Sequence, residues 1–215
     1  MYLSWKEKDI TDFSDENINS LYGAGYVFTR VKKGLLNQTR SIRIDLEKFE
    51  LSSENRRILR KTEKISLRTA NIPYSEYDWT IGKIAKDFYS TKFGEGTFTA
   101  NKIKELLTDE TKSNFNKLFL YSLADKIIGY CIVKTTDQIT HYSYPFYDLK
   151  ESAGDTGLGM MIRAIVWAKE NGKKYIYLGS FQRPTDTYKL QFSGLEWFDG
   201  EKWSNDLEKL KTIFK

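Results

Sequence analysis

The stretch KESAGDTGLGMMIRAIVWAKENGKKYIYLGS, residues 150–180, reads in three parts. A glycine-bearing loop at 154–159 opens onto an amphipathic helix near 156–171; Asn171-Gly172 ends that helix, and the strand KYIYLGS follows. Glycine after the last turn is a common helix stop, and the β-branched and aromatic run after it suits a strand. Gly157 and Gly159 have no side chain, so the backbone at the helix mouth is open to close approach. The first amides of a helix lack intrahelical acceptors and, with the helix dipole, favour an anion. A tight turn with no ligand is the alternative reading of the same glycines.

Upstream, NKLFLYSLA, KIIGYCIVK and ITHYSYPFY are three strand-like runs separated by turns such as Ala124-Asp125. Earlier still, SDENINSLYGAG predicts a short capped helix, YVFTRV and RSIRIDL predict strands, and LSSENRRILRKTE predicts a basic helix. EYDWTIGKIAKDFYSTKFG places Trp79, Ile84, Ala85 and Phe88 on one helical face, and NKIKELL is another short helix. After residue 180 come a short helix at TDTYKLQF, a strand at GLEWF and a last helix at SNDLEKLKTIF. The order is α+β: a meander feeding a loop–helix–strand unit.

The chain of 215 residues is long enough to bury a core, as one large domain or two small lobes. It contains no apolar run of signal-peptide or membrane-span length, so a complete, soluble, cytoplasmic protein without membrane partners is expected. Cys131 and His141 are the only cysteine and histidine. One of each is too few for a zinc-type ligand set, and Cys131 inside IIGYCIVK reads as a small strand residue. Neither a metal nor another resident cofactor is expected. Residues 30–70 hold twelve Lys/Arg against five Asp/Glu, a net +7 in a chain whose total is +5. Such a block fits a polyanionic partner, or else a solvated helix face.

The order of meander, glycine loop, helix and strand resembles the GNAT acyltransferase fold: a mixed, mainly antiparallel central sheet flanked by helices. The CoA-binding pattern of that fold begins with Arg or Gln, where this chain has Gly154, and Asp155 adds a carboxylate beside any pyrophosphate. A donor other than acetyl-CoA is therefore expected. RSIRIDLEKFELSSENRRILRK (40–61), IAKDFYSTKFGEGTFTANKIKELL (84–107), HYSYPFYDLKESAGDTGLG (141–159), YIYLG (175–179) and DTYKLQFSGLEWFDGEKW (186–203) together resemble the arginyl-tRNA–protein transferases and their leucyl relatives. The likeness runs over about 21–203. The family's N-terminal cysteine motif is missing, since GYVFTRVKKGLLNQTRSIRI passes without a cysteine.

The resemblance implies a small basic N-terminal lobe at 1–70 and a GNAT-like transferase core at 71–215. It implies an aminoacyltransferase of the N-degron type, moving arginine or leucine from aminoacyl-tRNA to the N-terminal amine of a protein or peptide. The ester is already activated, and a peptide α-amine with pKa near ~8 is partly neutral at pH 7. Positioning, an oxyanion donor and a proton acceptor then suffice.

Tyr147 and Asp148 precede the loop and stand near the acyl group on this reading; a turn-capping role for Asp148 is the alternative. Gly157, Leu158 and Gly159 form the donor loop. Ser180, Gln182 and Arg183 follow the strand and are substrate-binding candidates, and Tyr188 and Lys189 match the family's Y-K. Arg40, Arg43, Arg56, Arg57, Arg60 and Lys61 are candidates for tRNA phosphates, because the guanidinium fork bonds two oxygens; Arg43 reads alternatively as a strand residue paired with Asp45 or Glu47. An acyl-CoA-dependent N-acyltransferase and a non-catalytic RNA-binding relative are the rival classes.

Overall fold

The computed structural model describes residues 3–213. In chain order the elements are β1 (Lys6–Asp9), α1 (Asp15–Gly23), β2 (Tyr26–Phe28), β3 (Leu35–Gln38), β4 (Ser41–Asp45), α2 (Ser53–Lys61), β5 (Ile65–Asn71), α3 (Trp79–Phe93) and α4 (Ala100–Thr108). There follow β6 (Lys117–Leu123), β7 (Lys126–Thr135), β8 (Ile139–Tyr147), α5 (Thr156–Glu170), β9 (Tyr175–Ser180), a 3₁₀ segment (Pro184–Gln191), β10 (Leu195–Phe198), β11 (Trp203–Ser204) and α6 (Leu207–Thr212). The class is α+β, with mainly antiparallel strand pairing. The stretch 150–180 supplies the crossover: β8 and β9 run parallel, joined by α5. Among the described residues no helix is long and apolar enough to cross a membrane.

The chain divides into two compact units, each assembled from separated segments. The first comprises Met1–Ser53, Thr135–His141 and Trp167–Lys215. Its strands hydrogen-bond in the order β11-β10-β4-β9, with the first three residues of β8 beside β9, and β1-β3-β2 form a separate small sheet. α1 starts at Ser14, whose hydroxyl accepts from Asn17 N. It buries Ile18, Leu21 and Tyr22. Ile42, Ile44, Ile176 and Trp197 fill the core of this unit.

The second unit comprises Glu54–Lys134 and Tyr142–Val166. Here β5, β6 and β7 are sequential antiparallel neighbours, with the rest of β8 beyond β7. Leu118, Leu120, Ile132, Phe146, Met160 and Ile165 are buried in it. Ala124 turns β6 into β7 with a φ of 51°.

One expected face is rotated. Trp79 is 72% exposed, whereas α3 buries Ile81, Gly82, Ala85, Phe88 and Tyr89. Asp78 caps this helix through Thr80 N, so Trp79 is its first residue, where a side chain points past the end of the packed face.

Candidate active site

In the second unit, β8 ends at Tyr147 and a turn leads into α5. Asp148 is a turn cap: its Oδ1 accepts from Lys150 N at 2.9 Å, and its own N–H donates to Ile128 O at 2.8 Å. Tyr147 is held by Phe88, whose ring centroid lies 4.8 Å away, and by Gly157, where a Cβ would come within 3.1 Å of Tyr147 Cε1. Burial raises the Tyr147 phenol above its usual pKa, so it stays a protonated donor near neutrality.

The first turn of α5 is built from both directions. Thr156 Oγ1 accepts from Ala153 N at 3.0 Å, and Gly159 N donates to Asp155 O at 2.8 Å. The amides of Gly157 and Leu158, between them, have no acceptor among the described residues. Gly159 faces the protein. A Cβ there would meet Thr62 Oγ1 at 2.6 Å, so its missing side chain makes room for the end of α2. One turn on, Arg163 donates to Ile65 O, Thr62 Oγ1, Thr62 O and Gly159 O. Its guanidinium thereby satisfies the Thr62 carbonyl just past the C-terminal end of α2, where a cation also suits the dipole, and ties it to the first residue of β5. Sequence reading passed over Arg163 and Thr62, although Gly159 and Arg163 stand four apart and share a helix face.

Of the basic candidates in this unit, Arg57 is forked onto Glu54 of its own helix, and Lys61 pairs Asp155 of the loop at 3.2 Å. That pair offsets the charge Asp155 was expected to set against a phosphate. Arg56 and Arg60 are exposed, and the Arg60 guanidinium has no partner among the described residues.

In the first unit, Asp186 organises the other candidates. Its carboxylate accepts from the amides of Gln182 and Arg183 and lies 3.6 Å from Lys189 Nζ. Lys189 is buried and donates to Ser180 O at 2.9 Å, under Gly179, whose φ of +78° suits a residue without a side chain. Burial pushes the Lys189 ammonium below its usual pKa, and Asp186 offsets part of that shift. Gln182 is spent on structure, bonding Thr39 Oγ1 and Leu3 through its amide. Arg183 and Tyr188 are exposed.

Arg40 is half-buried and reaches Phe181 O at 3.4 Å. Arg43 is 8% exposed, sandwiched between the rings of Tyr175 at 3.9 Å and Trp203 at 4.0 Å, and bonded to Glu196. This geometry leaves Arg43 no face for a phosphate. It is the paired strand residue, although its acid stands on β10 and not at Asp45 or Glu47.

The two residues with the most familiar chemistry are buried. Burial raises the Cys131 thiol and pushes His141 down to about 3, so His141 is a neutral partner for Tyr22 at 2.9 Å.

Residues 74–199 match the family described as arginine-tRNA-protein transferase, C terminus. A protein of Ruegeria pomeroyi named aspartate/glutamate leucyltransferase is 26% identical over 169 residues, 76% of this chain and 60% of its own length. A protein of the same name from Chromohalobacter salexigens is 24% identical over 78% of this chain and 68% of its own. The chain thus spans about 60–70% of the length of these two relatives. The structure of L-PGS from Bacillus licheniformis superposes with a TM-score of 0.52 at 14% identity, covering 92% of this chain and 68% of that one. A GCN5-related glucosamine N-acetyltransferase region of a fungal β-N-acetylglucosaminidase gives a TM-score of 0.51 at 12% identity, over 89% of this chain and 23% of that one. These likenesses identify the fold as GNAT-like.

Proposed function

Because the chain belongs to the arginine-tRNA-protein transferase family, we propose that it moves an amino acid from aminoacyl-tRNA to the N-terminal amine of a protein or peptide. The family match across 74–199 carries this reading. The names of the relatives favour leucine as donor and an N-terminal Asp or Glu as acceptor; arginine, from the family description, is the second reading. The amine nitrogen attacks the ester carbonyl, a C–N bond forms, and the C–O bond to the terminal ribose breaks. One proton leaves the ammonium before attack. A second passes from the attacking nitrogen to the departing ribose oxygen.

Such a reaction asks the protein for positioning and charge stabilisation. The amides of Gly157 and Leu158 suit a phosphate or ribose oxygen of the donor's 3′ end, and the exposed Arg56 and Arg60 of α2 suit further phosphates of the tRNA. Tyr147, protonated and packed on Gly157, suits a hydrogen bond to the ester oxygen. Asp148 acts by shaping the turn that presents Tyr147, since one of its oxygens already caps that turn. No metal or resident cofactor enters this scheme.

The purified protein is incubated with tRNA charged with labelled leucine or arginine and with peptides differing in their first residue. Label in the peptide is expected, fastest with leucine and with N-terminal Asp or Glu. No transfer from any charged tRNA, together with a melting temperature raised by acetyl-CoA, would overturn the reading in favour of an acyl-CoA enzyme.

A further inference from the structure

Trp79 lies on the rim of a cleft of about 770 Å³ in the second unit, lined also by Tyr74, Tyr77, Asn101 and Lys104. That volume falls in the range of small-molecule sites. A tryptophan left 72% exposed beside two tyrosines is a flat aromatic platform with no neighbour covering it. The cleft opens directly after β5, and residues 54–71 hold six Lys/Arg against two Asp/Glu. Arg68 of β5 reaches Glu76 at 3.8 Å, and Glu76 accepts from the Tyr74 hydroxyl at 3.1 Å, so Arg68 is tied through Glu76 to a residue that lines the cleft.

Glu76 and Asp78 are already engaged, by Arg68 with Tyr74 and by the α3 amides. Their charge disfavours a phosphate inside the cleft and an acidic peptide alike, but a neutral ring on Trp79 meets no such cost. Trp79 and Phe88 are nine residues apart on α3, roughly 14 Å of helix, and Phe88 packs on Tyr147. A stacked single strand covers that length in about four steps of ~3.4 Å, and an extended one in fewer.

We propose that this cleft holds an unpaired base of the tRNA 3′ tail, stacked on Trp79, with Asn101 at the base edge and Lys104 toward the adjoining phosphate. The proposal rests on the aminoacyl-tRNA reading above. It adds a stacking site, set back from the acyl end, that secures the tail before the ester is presented.

Binding of uncharged tRNA, intact and trimmed of its unpaired 3′ nucleotides, is measured for the wild type, Trp79→Ala and Trp79→Phe. Far-UV circular dichroism serves as the fold control. Trp79→Ala is expected to weaken intact tRNA about 5- to 150-fold, the range for one stacked base. Trp79→Phe retains most of the affinity, and trimmed tRNA binds all three proteins alike. Equal losses for intact and trimmed tRNA, or no loss at all, overturn the proposal. So does a raised KM for the peptide with tRNA affinity unchanged, which assigns the cleft to the acceptor. A wild type that neither binds tRNA nor transfers from it overturns the transferase reading itself, and is told apart by the first column of the same experiment.

Discussion

Gly159 and Gly157 are adjacent in purpose but not in tolerance. A methyl at 159 falls 2.6 Å from Thr62 Oγ1 and 2.9 Å from its Cγ2, inside a buried contact. Gly159→Ala should therefore cost about 1–3 kcal/mol of stability, read by urea unfolding. Thr62→Ala in the same chain should recover part of it. At 157 the nearest atom is the Tyr147 ring at 3.1 Å, which can shift by a few tenths of an ångström, so Gly157→Ala should cost less. His141 gives a pH test. Its pKa is pushed to about 3 by burial, against 6.5 unperturbed. Between those values the unfolded chain takes up a proton that the folded chain refuses, so stability falls as pH drops below ~6.5 and the loss continues toward pH 3. The slope from this residue is roughly 1.4 kcal/mol per pH unit. His141→Gln should remove that contribution, seen as a smaller difference between urea midpoints at pH 7 and pH 5. A wild-type-like slope in the variant would exclude His141 as its source.

Among the elements, the junction of α2 with α5 is bonded most densely through the Arg163 guanidinium. Arg163→Met would leave the Thr62 and Ile65 carbonyls without their charged donor, at a cost of about 1.5–3 kcal/mol. Faster amide exchange at the end of α2 should accompany it; unchanged exchange would show that the helix is held otherwise. The strands that carry the crossover were legible because apolar and aromatic residues concentrate in them, as were the helices with a cap at one end and glycine at the other. β1, with the sequence KEKD, and β5, with ISLRTAN, were not. Both are edge strands: every side chain of β1 is exposed, and β5 buries only Ile65 and half-buries Leu67 and Ala70, so neither carries a sustained apolar alternation. The site was legible only as far as backbone chemistry goes. Glycines at a helix mouth can be found by pattern, but that Gly159 answers to Thr62, and that Arg43 is buried between two rings, depends on partners more than ninety residues away. Trp79 failed for another reason: periodicity assigns a face only to residues inside the helix, and Trp79 is its first.

For the whole molecule, the basic segment 30–70 separates into two kinds of cation once partners are counted. Arg60→Ala should reduce the steepness of log K for tRNA against log salt by about 0.7–0.9, the share of one phosphate contact. Arg43→Ala should leave that slope alone and instead destabilise the fold by about 1–3 kcal/mol, since half-buried Glu196 loses its charged donor. Equal salt slopes for wild type and Arg60→Ala would remove α2 from the tRNA surface. β4 carries a different consequence. Its residue Asp45 pairs with Tyr175 of β9, and Ile42 with Trp197 of β10. A ribosome adding ~5–20 residues per second takes roughly 6–26 s to travel from Asp45 to Tyr175. Through that interval SIRID has neither of its strand neighbours, while every segment of the second unit is already made by Val166. The nascent chain therefore matures out of order, its middle before its beginning, and an early apolar strand waits for a late one.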